Sequence, residues 1–421
     1  MSQFLPVGDF SFLKEKVMEE TFPNFVIDVD DENDTGHILK VDIEYASCLH
    51  DEHNCLPLAP ENIIIDESMY SPFQKEFPKQ LPQTRLTPNL MKKIDYIVHY
   101  RNLKLYLKLG MKITKIHDVL SFTQKPWLAK YIQYNTDCRS KAKSLFEKNF
   151  YKLMNNAVFG KTNENLRNRV NVEIITDRKI ALKRVAKTNF IRSQVIHEDL
   201  VIIQTAISTL KLNKPIYVGF TILDVSKILM YNFHYQHIKK KYDKGVQLCF
   251  SDTDSLLYEI KTEDIYKDME EDKEMYDFSD YPKPHNLHSI INKKVIGKFK
   301  DELNGQPLEE FCGLRSKCYS LLYDCPDGCI IKAKGNKKSV KNKYFRHKHY
   351  VDCLLTLSTY SISQNLIKSK AHTVSSYNVK KTALTVFDLK RYICCDGIHT
   401  LAHGHYNAKG DKCLGECTHI V

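Results

Sequence analysis

No run of eighteen or more apolar residues occurs in this 421-residue chain, so no segment advertises itself as a membrane-spanning helix. The start, Met1-Ser2-Gln3-Phe4-Leu5-Pro6, lacks the basic region and the long apolar core of a secretory signal. There is no internal repeat and no low-complexity segment, which excludes a solenoid architecture. The 13 cysteines are odd in number and scattered, without the regular pairing of a disulfide framework. These absences lead us to expect a soluble intracellular protein with free thiols and no disulfides.

What is present is an ordinary globular composition, 43% hydrophobic and 27% charged, in a chain long enough for two or three cores. The net charge of +11 is unevenly spread. Residues 1–80 hold 5 Lys/Arg against 17 Asp/Glu, whereas residues 81–200 hold 24 against 9. That basic stretch is interleaved with Tyr96, Tyr100, Tyr106, Trp127, Tyr131 and Tyr134, the pattern of a surface that tracks phosphates. Solvated helix faces would look the same on charge alone.

Residues 37–45 alternate apolar and polar like a half-buried strand, and residues 63–65 suggest another. Apolar spacing over 90–109, closed by Gly110, predicts a helix; so does 139–154, which has no Gly or Pro and offers Leu145, Phe150 and Met154 for burial. Residues 170–176 and 216–222 read as short strands, and 222–241 as a helix ended by Lys244-Gly245. Residues 246–260 predict strand, tight turn, strand. Residues 261–285 read as a loop and helix, before a smaller C-terminal unit over 286–421.

Asp252-Thr253-Asp254 at the tip of that hairpin suits hard divalent cations, because Mg²⁺ prefers carboxylate oxygens and a pair of ions assists phosphoryl transfer. A capped turn is the bland alternative, since Asp and Ser are turn residues in any case. Some ninety residues upstream, Lys141, Lys148, Lys152 and Asn156 fall on one helical stripe that would clamp a triphosphate, with Phe159 beside base and sugar. The alternative there is a charged outer face.

Lys152-x-x-x-Asn156-Ala157-x-Phe159-Gly160 resembles motif B of family B DNA polymerases. Phe250-Ser251-Asp252-Thr253-Asp254-Ser255 resembles their motif C. Gly313-Leu-Arg-Ser-Lys317-Cys-Tyr319 is similar to the Lys-x-Tyr element that steadies the primer. Lys332-Ala-Lys-Gly335 and Asp396-Gly-Ile-His-Thr-Leu-Ala-His-Gly-His405 are similar to segments of the protein-primed polymerases of Maverick or Polinton transposons. The resemblance covers almost the whole chain. It implies an α+β right-hand polymerase: a palm of antiparallel sheet, helical fingers and a small thumb, with the exonuclease domain absent.

In that scheme residues 1–138 are palm plus a first insertion, 139–165 fingers, 166–212 a second insertion, 213–300 palm with motif C, and 301–421 thumb and C-terminal region. The implied activity is DNA-directed nucleotidyl transfer with two Mg²⁺. Asp252 and Asp254 would be catalytic metal ligands, and Lys148, Lys152, Asn156, Phe159 and Gly160 would hold the nucleotide. Thr253, Ser255, Lys317 and Tyr319 would meet the primer and DNA. Partners would be DNA template and primer, dNTPs and a terminal protein primer, with no membrane.

The sequence departs from the family at Ala157, Phe159 and Phe250, where the family has Ser, Tyr and Tyr. The motif A aspartate has no counterpart, as though the reading frame began just past it. We therefore expect a chain weakly active or inactive alone, with a noncatalytic DNA-binding protein or transposon remnant as the alternative. Asp224-Val-Ser-Lys-Ile-Leu-Met-Tyr231 echoes motif A in the wrong order, and Asp42-Ile-Glu44 echoes an exonuclease signature at the wrong spacing. Cys48, His50, His53 and Cys55, and Cys413, Cys417 and His419 with His403 and His405, have zinc-ligand chemistry. Loop thiols and surface histidines are the commoner explanation.

Overall fold

The computed structural model describes residues 1–13, 28–78, 81–324 and 328–408. Strands β1 (Leu5–Phe12), β2 (Thr35–Glu44), β5 (Lys93–His99) and β6 (Lys112–Lys125) form one antiparallel sheet in the order β1-β6-β2-β5. Between β2 and β5, β3 (Glu61–Ile64) and β4 (Thr84–Thr87) make a separate hairpin. The alternation of β2 is why it sits where it does. Leu39, Val41 and Ile43 point to one face and are fully buried, each worth about 1.5–3 kcal/mol of burial.

Helix α1 (Tyr100–Lys108) follows β5 directly and lays Tyr100, Leu103 and Tyr106 on that face. It stops at Gly110, whose φ of +97° suits glycine, and where a Cβ would lie 2.9 Å from Leu49. The expected helix over 90–109 is thus corrected: its first half is strand. Ile94 and Ile97, which gave the three-and-four spacing, lie exposed on β5, and the backbone of 93–99 pairs with β2 instead.

Helix α2 (Ala129–Lys141) and α3 (Leu145–Thr162) follow β6. The expected continuous helix over 139–154 is broken between them. Ser144 and Glu147 form a capping box, each side chain taking the other's backbone N–H, and this restarts the helix. Leu145 and Phe150, offered for burial, are 74% and 45% exposed, and Thr162 is the buried residue of α3. The two helices pack on each other, with Leu128, at the N-terminus of α2, and Ile132 of α2 in a small core with Leu5. A small sheet follows, β7 (Asn171–Ile175), β8 (Phe190–His197) and β9 (Leu200–Thr205) in the order β7-β9-β8, braced by α4 (Arg178–Val185).

Residues 216–222, expected as strand, open helix α5 (Ile216–Tyr231), which a π-helical turn over Asn232–Ile238 carries on to Lys239–Tyr242. By length and composition the run Ile216–Gly245 is apolar enough to cross a bilayer. Here it packs against α1, α3, β1 and β5, and Tyr231 and Tyr235 enter the sheet core. Gly219 lets the Asn163 side chain approach where a Cβ would stand 2.3 Å from it. Asp224, the echo of motif A, is buried in this contact. Its carboxylate accepts the His99 N–H at 2.8 Å, Asn102 Nδ2 at 3.0 Å and Lys227 Nζ at 3.0 Å. It fixes the β5–α1 corner to α5.

Strands β10 (Val246–Asp252) and β11 (Ser255–Ile260) form the expected hairpin. Beyond it, β12 (Leu308–Arg315), β13 (Cys318–Tyr323) and β14 (Cys329–Ala333) make a sheet covered by α6 (His347–Thr356). The long hairpin β15 (Tyr360–Lys370) and β16 (Thr373–Leu384) is rooted in the same core through Ile362, Ala383 and Leu384. Its tip reaches the β7–β9 sheet: Gln194 Nε2 donates to Thr373 Oγ1 at 2.7 Å, and His372 meets Gln204 at 3.1 Å. The last described segment returns to the N-terminal part, where Arg391 binds Asn54 and Gln74 binds the carbonyls of Asp388 and Arg391. Cysteines such as Cys312, Cys318 and Cys353 are free thiols, but Cys395 is disulfide-bonded, which corrects the expectation at that position.

Candidate active site

The β10–β11 hairpin pairs from Val246 with Ile260 to Asp252 with Ser255, leaving Thr253 and Asp254 as a two-residue turn. Thr253 has φ +61°, an uncommon conformation for a β-branched residue, and Asp254 N–H donates back to the Asp252 carbonyl at 2.7 Å. Asp252 therefore ends a strand and Asp254 sits in the turn, rather than both lying on extended chain. Thr253 Oγ1 donates to Asp252 Oδ1 at 3.2 Å.

A second hairpin tip meets the first. Ser316 and Lys317 are the turn between β12 and β13; Lys317 has φ +59°, and its carbonyl accepts the Lys334 N–H at 3.1 Å. From there Lys317 Nζ donates to Asp252 Oδ1 at 2.6 Å. The Tyr319 ring rests 4.4 Å from that of Phe250, so an aromatic contact holds the two hairpins together behind the ion pair. Burial first, and then the Asp252 carboxylate, pushes the Tyr319 phenol above its ordinary pKa. Asp252, Thr253, Asp254 and Ser255 thus lie at one hairpin tip, which Lys317 meets through Asp252 and Tyr319 through Phe250.

The remaining sequence candidates lie on α3. Lys148, Lys152 and Asn156 are exposed along it, Phe159 is half-buried with its carbonyl taken by Thr162 Oγ1 and Asn163 Nδ2, and Gly160 borders open space. Lys141 belongs to α2, so the stripe begins at Lys148. Among the described residues no hydrogen bond or ion pair joins α3 to the hairpin.

The hairpin's donor set fits a divalent cation in its chemistry: two carboxylates, one of which already holds a cation, the Lys317 ammonium. Among the described residues no third ligand-type side chain gathers with them; such a trio occurs at Asp42, Asp95 and His117. Sequence reasoning noticed Asp42 there and missed the other two, which only the pairing of β2 with β5 and β6 brings together. The Asp42 carboxyl is held below its usual range by the Asp95 N–H and then by His117. Lys40 lies 3.0 Å from Asp95. Lys40 offsets one of the two carboxylates, and the group braces three strands.

The first zinc candidate does not converge. Cys48 and Cys55 are exposed, His53 bonds the Tyr45 hydroxyl at 2.7 Å, and His50 Nδ1 accepts the Tyr406 N–H. In the second, His403 bonds the Leu389 carbonyl and His405 bonds Asp51, while Cys413, Cys417 and His419 lie outside the described residues.

No protein-family model matches the chain, and no curated protein matches it. Solved structures do. An orthorhombic crystal form of Phi29 DNA polymerase is similar over 90% of this chain and 55% of its own, with 15% identity and a TM-score of 0.50. The ternary complex of that polymerase with primer-template DNA and incoming nucleotides covers the same shares at 14% identity and a TM-score of 0.49. The first of these shows a shared mixed fold of helix and sheet. This chain spans about half the length of the polymerases it matches.

Proposed function

We propose that this chain is the polymerising portion of a protein-primed family B DNA polymerase of the transposon type, acting inside the cell. It would take primer-template DNA, dNTPs and a terminal protein as partners. The observation that carries this reading is the meeting of Lys317 and Tyr319 with Asp252 and Phe250, across 65 residues of sequence. In this reading the four-stranded sheet and the β10–β11 hairpin are palm, α3 is fingers, and β12–β16 with α6 are thumb.

Asp252 and Asp254 would hold Mg²⁺, which when bound activates the primer hydroxyl and offsets charge on the leaving pyrophosphate. Lys148, Lys152 and Asn156 would grip the triphosphate from the exposed stripe of α3, with Lys152 as a point charge that would give a proton to the leaving group. Phe159 and Gly160 would border the base and sugar. Thr253, Ser255, Lys317 and Tyr319 would steady the primer end. The tip contact of Thr373 and His372 with the β7–β9 sheet would close a ring around duplex DNA.

Two carboxylates supply part of a two-ion cage, so the isolated chain should extend primers poorly. That same observation favours the second reading, a noncatalytic DNA-binding protein. Primer extension with Mg²⁺ and four dNTPs decides between them, using the chain alone and the chain extended at its N-terminus by an Asp-bearing Asp-x-x-x-Leu-Tyr strand. We expect extension by the longer form and its loss in Asp254→Asn by a factor of roughly 10² to 10³. A longer form that binds DNA but never extends it would establish the second reading.

A further inference from the structure

We propose that Lys317 is a built-in counter-ion for the hairpin: its ammonium occupies the cation position at Asp252 until a divalent ion displaces it, and displacement frees it for the primer phosphates. The inference rests on the reading of Asp252 and Asp254 as an ion-binding pair. It goes beyond it by coupling ion entry to DNA grip through one side chain.

The geometry has three parts. Lys317 Nζ lies 2.6 Å from Asp252 Oδ1, the same oxygen that accepts Thr253 Oγ1. The lysine stands in a two-residue turn whose backbone is fixed by the Lys334 N–H and by the Phe250–Tyr319 ring contact, so its base cannot drift from the hairpin. Its flexible four-carbon stem, however, can swing the ammonium elsewhere. The pair is also weakly held. The two side chains are 46% and 31% exposed, and pairs this wet are worth little, so a doubly charged ion with a strong preference for carboxylate oxygen can outcompete one ammonium.

Because the lysine can serve one anion at a time, an ion on Asp252 and a phosphate on Lys317 favour one another. Such coupling is reciprocal by thermodynamic necessity. Lys317 is a positioning residue in this scheme, since it acts through Asp252 and the primer strand.

The test is Mn²⁺ binding to the full chain, followed by electron paramagnetic resonance of the free ion. Asp95→Asn is carried throughout as a background to remove the Asp42–Asp95–His117 trio. Lys317→Met should bind Mn²⁺ about two- to fivefold more tightly than the parent, the range an exposed pair supports. Lys317→Arg, which keeps the cation, should match the parent. Asp252→Asn should bind more weakly, and adding Lys317→Met to it should restore nothing. Equal affinity in Lys317→Met and parent, with Asp252→Asn weakened, would overturn the counter-ion role while leaving the hairpin an ion site. No change in Asp252→Asn or Asp254→Asn would overturn the ion-site reading and this inference with it.

Discussion

Asp224 offers a measurement that separates an architectural aspartate from a catalytic one. Asp224→Ala leaves the His99 N–H and one of the two Asn102 Nδ2 hydrogens buried with no acceptor, the other still donating to the Tyr106 hydroxyl, and strips Lys227 of its partner. A buried donor left unpaired costs about 1–3 kcal/mol, and Lys227, which is 27% exposed, can turn to water, so its share is small. Two donors give a loss of about 2–6 kcal/mol, in line with the roughly 3–5 kcal/mol for breaking a buried charged contact. Asp224→Asn keeps the shape and one acceptor but turns an NH₂ toward a donor, so about half the loss is expected.

The assay is urea denaturation by far-ultraviolet circular dichroism, with hydrogen exchange of the His99 amide as the local readout. A loss under about 0.5 kcal/mol for Asp224→Ala, within the range of neutral surface substitutions, would refute the role assigned to the carboxylate. So would an Asp224→Asn variant of unchanged stability that abolishes primer extension in the N-terminally extended chain, because that pattern belongs to a metal ligand.

On the proposed reading the basic stretch meets phosphates, so DNA binding should weaken steeply with salt and depend little on sequence; fluorescence anisotropy showing a flat response from 50 to 200 mM salt, roughly the range over which counter-ion release acts, would contradict it. Stability should fall as pH drops below about 6.5. Burial holds His99 and His234 down to about 3 and His37 and His53 down to about 4, so their neutral forms favour the fold above the unfolded-state pKa. The contribution is lost on acidification at about 1.4 kcal/mol per pH unit per histidine, and a urea midpoint unchanged between pH 7 and 5 would refute it. Gln194→Ala with Thr373→Ala should shorten the products made per binding event by the extended chain without changing single-nucleotide incorporation, read with a DNA trap; equal product lengths would remove the ring closure.

What the sequence revealed divides along a physical line. Strand β2 was legible because one face is buried and the other wet, which writes a period of two into residues 37–45. The β10–β11 hairpin was legible because turn residues stand between two apolar runs. Strand β5 was misread because its outward face carries Ile94 and Ile97, whose spacing mimics a helix; what settles it is the unpaired backbone of β2, a partner the local sequence does not contain. Residues 216–222 were misread for a related reason. Helix α5 carries apolar residues on its wet face as well as its buried one, Ile216, Leu223 and Leu229 being exposed, so no stripe shows, and β-branched Ile216, Val218, Thr221 and Ile222 then suggest a strand. The break before α3 was present in the sequence as Ser144-Leu-Phe-Glu147, a capping box hidden among strong helix formers. At the site, the carboxylates could be named from their turn and Lys317 from its resemblance, but their contact could not. It arises only when two hairpin tips, each with a left-handed residue at its turn, are brought together by the packing of Tyr319 on Phe250. The most informative feature of the site is therefore a tertiary contact between two locally legible elements, and the chemistry proposed for Lys317 depends on that contact rather than on either motif alone.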